Sequence, residues 1–163
     1  MKILYFGGQK SGKSSLAEHH AKELSTHQPY YLATYDNRFG DTEMENRIEK
    51  HRDSRKEDFI TIEETRDLAS VIHPDHTYLI DCISMWLLNR IEEDEAALMG
   101  AIEALEHIDA NIVFVLNDVT CGVIPIDAMS RRYVDLSGLI GQKLARICDE
   151  VYEVKLGLRI RLK

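Results

Sequence analysis

Cysteine, proline and tryptophan are scarce in this chain: three, three and one among 163 residues. The three cysteines, Cys82, Cys121 and Cys148, are odd in number and far apart. They form no C-x-x-C pair and no zinc quartet, which excludes a disulfide scaffold and a structural zinc site. They read as small reduced core residues. The prolines, Pro29, Pro74 and Pro125, mark no linker, and no repeat or low-complexity tract divides the chain. Its length fits one domain. No apolar run approaches the ~20 residues of a membrane span. The N-terminal apolar stretch breaks at Gly7 and Gly8, too early for the core of a signal peptide. Basic charge is in deficit, 20 Lys plus Arg against 28 Asp plus Glu, for a net charge of −8. A dedicated nucleic-acid binder needs basic surface to displace counterions, so nucleic acid is not an expected partner. These absences leave a soluble, cytoplasmic reading.

The acidity is local. Residues 92–109 hold seven acids (Glu92, Glu93, Asp94, Glu95, Glu103, Glu106, Asp109) and no Lys or Arg. That stretch reads as a solvated helix face and accounts for nearly all of the net charge.

What is present is an alternation of short apolar runs with helical patterns. Runs at 3–6, 30–33, 78–80, 112–116, 151–154 and 158–162 read as strands, with a weaker one at 59–62. Helical spacing falls at 14–24, 43–52, 65–72, 83–89, 95–107 and 130–148. Such alternation predicts an α/β fold: a mostly parallel sheet flanked by helices. The last two strands, joined around Gly157, predict an antiparallel edge hairpin at the C-terminus.

Directly between the first strand and the first helix lies Gly7-Gly8-Gln9-Lys10-Ser11-Gly12-Lys13-Ser14, a G-x-x-x-x-G-K-[ST] phosphate loop. Its glycines let the backbone approach phosphate, and the loop N–H groups and helix N-terminus face the anion. Lys13 would reach the β- and γ-phosphates, and Ser14 would offer its hydroxyl to Mg²⁺. An acidic partner on a neighbouring strand completes such a site. Asp81 ends an apolar run and so projects at the carboxyl edge of the sheet, where ligands bind. Its alternative role is an N-cap for the helix near Ile83. The loop implies a nucleoside triphosphate without saying what is done with it.

Residues 47–56 carry five bases against two acids. The stretch fits a solvated helix face. It also fits a phosphate-facing segment in which neutral His51 attacks an α-phosphorus and forms a phosphoramidate, with Arg52 and Arg55 stabilising the transferred group. Arg131 and Arg132 open the last long helix, where either could meet solvent, a neighbour or a transferring phosphate.

The motifs form an ordered set: GGQKSGKS, YLAT (31–34), D-x-E-M (Asp41, Glu43, Met44), RIEKHRDSR (47–55), T-x-E-E (Thr61, Glu63, Glu64), LIDCISMWLLN (79–89), VLNDVTCGVIP (115–125) and RRYVDLSGLIGQKLA (131–145). The set resembles the bifunctional adenosylcobinamide kinase / adenosylcobinamide-phosphate guanylyltransferase family of cobalamin biosynthesis. The resemblance implies a RecA-like P-loop NTPase fold and a homotrimer with active sites at subunit boundaries. It implies two reactions: NTP-dependent phosphorylation of a corrinoid, adenosylcobinamide, and GMP transfer from GTP to that phosphate through a guanylylated histidine. On this sequence the histidine falls on His51, and nucleotide contacts fall on the loop and on Thr34, Tyr35, Asp36, Arg52, Asp53, Ser54, Arg55, Glu63 and Asp81. GTP (or ATP) is then a substrate, with Mg²⁺ on Ser14 and Asp81. A P-loop kinase for another small alcohol and a nucleotide-binding regulatory module remain as alternatives.

Overall fold

A computed structural model describes residues 1–36 and 57–163. The expected helix at 43–52 lies outside the described residues. Among the described residues, seven strands form one sheet: β1 (Lys2–Gly7), β2 (Tyr30–Ala33), β3 (Ile60–Glu63), β4 (Thr77–Asp81), β5 (Asn111–Asn117), β6 (Glu150–Lys155) and β7 (Leu158–Arg161). Their order is β3-β2-β4-β5-β1-β6-β7, with every pairing parallel except β6 with β7. The helices among the described residues are α1 (Lys13–Leu24), α2 (Ile83–Asn89), α3 (Glu95–Glu106) and α4 (Ala128–Ile147).

The central strands are apolar on both faces because helices cover both. On β1, Ile3 and Tyr5 pack toward Ala17 and Ala21 of α1, while Leu4 joins the opposite core. That larger core takes Ile83, Trp86 and Leu87 from α2, Leu98, Ile102 and Leu105 from α3, and Leu136, Ile140 and Leu144 from α4. Residues Ile112, Val113, Phe114 and Val115 of β5 have no exposed surface. Each such side chain contributes about 1.5–3 kcal/mol of burial, which is why the sheet interior tolerates no polar alternation.

The remaining acids of the 92–109 stretch sit on solvated surface around α3, but Glu93 is half-buried and grips Arg66 and Arg90. Bonds from Arg90 hold its carboxyl below the usual range. Helix α4 begins two residues earlier than the pattern predicts. Asp127 is its N-cap, accepting from the Ser130 amide at 2.8 Å. At its other end the Lys163 ammonium donates to the carbonyls of Ala145, Arg146 and Cys148, where a cation suits the helix dipole.

The expected helix at 65–72 is only a 3-10 turn, Leu68–Val71. Side-chain bonds, local and long-range, claim its start. Glu64 Oε1 accepts from the amides of Arg66 and Asp67, and Arg66 reaches Asn89 O and Glu93. The weak strand at 59–62 forms one residue later as β3, at the sheet edge. The C-terminal hairpin forms as expected. Leu156 and Gly157, at φ 54 and 79, make the two-residue turn between Lys155 and Leu158, the left-handed pair a type I′ turn requires. Among the cysteines, Cys148 is buried as expected and Cys82 is half-buried. Cys121 is exposed, contrary to the core reading, because it stands in the loop after β5 rather than on a packed element.

Two glycines should respond oppositely to alanine. A Cβ at Gly7 would stand 2.3 Å from Val154 O, whereas one at Gly138 in α4 meets only Thr120 Cγ2 at 3.7 Å. Gly7→Ala is expected to cost about 1–3 kcal/mol from overpacking, and Gly138→Ala to gain about 0.5–1 kcal/mol from helix propensity. Urea unfolding of the two variants measures both signs.

Candidate active site

The parallel strands end in one row. Ala33 pairs with Glu63 on one side and Asp81 on the other, Asp81 pairs with Val115, and Gly7 pairs with Asn117. The carboxyl ends of β1, β2, β3, β4 and β5 therefore share one edge. Strand β5 stands between the strand that carries the phosphate loop and the strand that ends in Asp81.

The phosphate loop departs from β1 where Gly7 O accepts the Asp118 amide at 2.9 Å. It turns through two left-handed residues, Lys10 at φ 57 and Gly12 at φ 97. Gly12 is the N-cap of α1, so the first free amides of that helix open onto the loop. The loop is braced from behind by the C-terminal hairpin. Gly157 N donates to Ser11 O at 2.8 Å, and a Cβ on Gly12 would lie 3.2 Å from Gly157 Cα. This brace was not visible in the sequence, where Gly157 signals only a turn.

Lys13 is the first residue of α1 and is 7% exposed. Its Nζ donates to Gly8 O at 3.1 Å. Burial pulls the ammonium below the ordinary lysine value, with Cys82 and Asp81 opposing. Asp81 is thus an electrostatic neighbour of Lys13. It is not the N-cap of α2, a position held by Cys82. Burial, reinforced by Asp81, pushes the Cys82 thiol up to about 12.

Thr34 is wholly buried, and its hydroxyl is engaged on Cys82 from both sides. Tyr35 and Asp36 are half-buried beyond the end of β2, and Glu63 is exposed at the end of β3. His51, Arg52, Asp53, Ser54 and Arg55 lie outside the described residues. Arg131 donates to the carbonyls of Pro125 and Ile126. Arg132 donates to those of Ile91 and Glu93. Both guanidiniums therefore tie α4 to loops of the same chain, a role the sequence did not indicate.

The sequence profile of the cobinamide kinase / cobinamide phosphate guanyltransferase family matches residues 3–162. The chain belongs to that family. Among its relatives is the bifunctional adenosylcobalamin biosynthesis protein CobP of Pseudomonas aeruginosa, 36% identical over 175 aligned positions that cover 100% of this chain and 98% of that protein. The bifunctional adenosylcobalamin biosynthesis proteins CobU of Escherichia coli and Salmonella typhimurium are each 31% identical over the full length of both chains. The sheet is accordingly the P-loop NTPase-like fold expected of the family, with the antiparallel pair β6–β7 at one edge.

Within residues 79–89, three polar side chains of α2 are committed to hydrogen bonds. Ser84 Oγ accepts the Asn117 amide at 2.8 Å, and Trp86 Nε1 donates to Arg66 O at 2.8 Å. Asn89 Nδ2 donates to Thr34 O at 2.7 Å and Thr65 O at 3.0 Å. Their presence on a buried helix was a readable signal, because buried polar groups need partners; the partners themselves were not readable.

The cysteines give a direct check on the site's dryness. With the Cys82 and Cys148 thiols both pushed up to about 12 by burial, alkylation of the native protein near neutral pH should label Cys121 alone. Unfolding should expose all three, and peptide mapping by mass spectrometry reads the result. Fast native labelling of Cys82 would contradict the burial of its thiol.

Proposed function

We propose that this chain is a transferase of cobalamin biosynthesis that phosphorylates adenosylcobinamide with a nucleoside triphosphate and then converts the phosphate to adenosylcobinamide-GDP with GTP. The observation that carries this is a phosphate loop with a buried lysine, faced by Asp81 across one intervening strand, in a chain matched by the family from end to end.

The loop amides and the N-terminus of α1 receive the β- and γ-phosphates, and Lys13 neutralises charge as the γ-phosphoryl group leaves. Held in a water-poor wall, its ammonium acts in a lower dielectric than a surface lysine would. Ser14 and Asp81 are hard oxygen donors, the set that suits Mg²⁺ bound jointly with a nucleotide. Among the described residues no group of three or more His, Cys, Asp or Glu side chains forms a metal cage, and a nucleotide-borne Mg²⁺ needs none. Bound there, the ion would neutralise phosphate charge in the transition state. In this reading Tyr35, Asp36 and Glu63, which follow or end strands at the same sheet edge, are further nucleotide contacts.

In the second reaction the His51 imidazole attacks the α-phosphorus of GTP and pyrophosphate leaves. An oxygen of the corrinoid phosphate then attacks the phosphorus of the guanylylated histidine, forming the new O–P bond as the N–P bond breaks and the imidazole leaves. Arg52, Asp53, Ser54 and Arg55 flank that histidine as nucleotide contacts. A homotrimer with sites at subunit boundaries and a cytoplasmic location belong to the same reading. No helix among the described residues is long and apolar enough to cross a membrane.

Incubation with adenosylcobinamide, Mg²⁺ and GTP should yield both the phosphate and the GDP adduct by mass spectrometry. Lys13→Ala should cut phosphorylation by about 10²–10³-fold, the usual loss for one transition-state charge contact. His51→Ala should keep phosphorylation while abolishing acid-labile label from α-phosphate-labelled GTP. Absence of both products with the wild-type protein would sink the reading.

A further inference from the structure

We propose that Thr34 is a positioning residue for phosphoryl transfer, its hydroxyl latching the end of β4 so that Asp81 is fixed at the carboxyl edge of the sheet. The proposal rests on the kinase reading above for its catalytic consequence, but the latch itself is geometric. Strands β2 and β4 are paired up to Ala33 and Asp81, their last residues. One residue further, the side chain of Thr34 replaces the backbone ladder. Its Oγ1 accepts the Cys82 amide at 3.0 Å and donates to the Cys82 carbonyl at 2.7 Å. One hydroxyl thus holds the residue next to Asp81 by both of its polar backbone groups.

The latch is itself held. Asn89, at the C-terminal end of α2, donates both amide hydrogens, one to Thr34 O and one to Thr65 O. Cys82 begins α2 and Asn89 ends it, so Thr34 is tied to both ends of one helix. Thr34 has no exposed surface, so its hydroxyl is committed inside the protein and acts on a nucleotide only through what it positions. The consequence for chemistry follows from where Asp81 stands. It lies at the turn from β4 into α2, and small misplacement of a catalytic group costs rate steeply.

Two substitutions test this. Thr34→Val keeps shape and removes both bonds; Thr34→Ser keeps the hydroxyl. Phosphorylation by Thr34→Val should fall in kcat by about 10²-fold, with KM for the nucleotide near the wild-type value. Thr34→Ser should recover most of kcat. Amide hydrogen exchange of a peptide spanning 80–84, read by mass spectrometry without substrate, should lose protection in Thr34→Val and keep it in Thr34→Ser. A Thr34→Val protein with wild-type kcat, or a Thr34→Ser protein as slow as Thr34→Val, overturns the proposal. Should Thr34→Val not fold, Asn89→Ala takes its place: a lowered kcat at unchanged nucleotide KM supports the latch, and wild-type kcat overturns it. If the wild-type protein phosphorylates no cobinamide, the kinase reading fails, and the exchange experiment alone decides whether Thr34 holds Cys82.

Discussion

The central constraint is the burial of one positive charge. Lys13 is 7% exposed at the start of α1, and a lysine in that position is unfavourable unless its surroundings answer the charge. Gly8 O accepts from the ammonium, and Asp81 opposes the loss of its proton. Every larger feature serves that arrangement. The sheet must end level at β1 and β4, the loop must fold back on itself, and the strand end carrying Asp81 must not drift.

The structure meets these demands with long-range contacts. The hairpin turn at Gly157 presses on the loop from the C-terminal edge of the chain, with Gly7 tight against the Val154 carbonyl. On the other side, Thr34, Ser84 and Asn89 bind strand ends to α2. Tyr133 of α4 adds a hydrogen bond to Ser84 O at 3.1 Å. These groups are polar yet inside, where an unmet partner would cost about 1–3 kcal/mol each. A polar network of this kind gives rigidity only when fully satisfied.

Much of this architecture was legible in the chain. Continuous apolar runs located the strands because a sheet covered on both faces leaves no solvent side to mark. The loop was legible because its chemistry needs glycine, lysine and serine at fixed spacing between a strand and a helix. Asp81 was legible from its place at the end of an apolar run. The helix expected at 65–72 was not legible correctly. Its helical spacing is real, but bonds to Glu64, Asn89 and Glu93 pull its first residues elsewhere. Cys121 misled for a related reason, since composition reports how often cysteine is buried and not where a loop runs.

The sequence by itself determined the alternation of strands and helices, the phosphate loop, Lys13 and Asp81, because each rests on neighbours within a few residues, and the family membership, because the motif set runs along the whole chain. The tertiary structure decided what Thr34, Asn89, Gly157, Arg131 and Arg132 do. Thr34 meets Cys82 48 residues away and Asn89 55 away, and no local spacing encodes such a meeting. It exists only once β2 and β4 lie side by side, in the register set by burying their apolar residues.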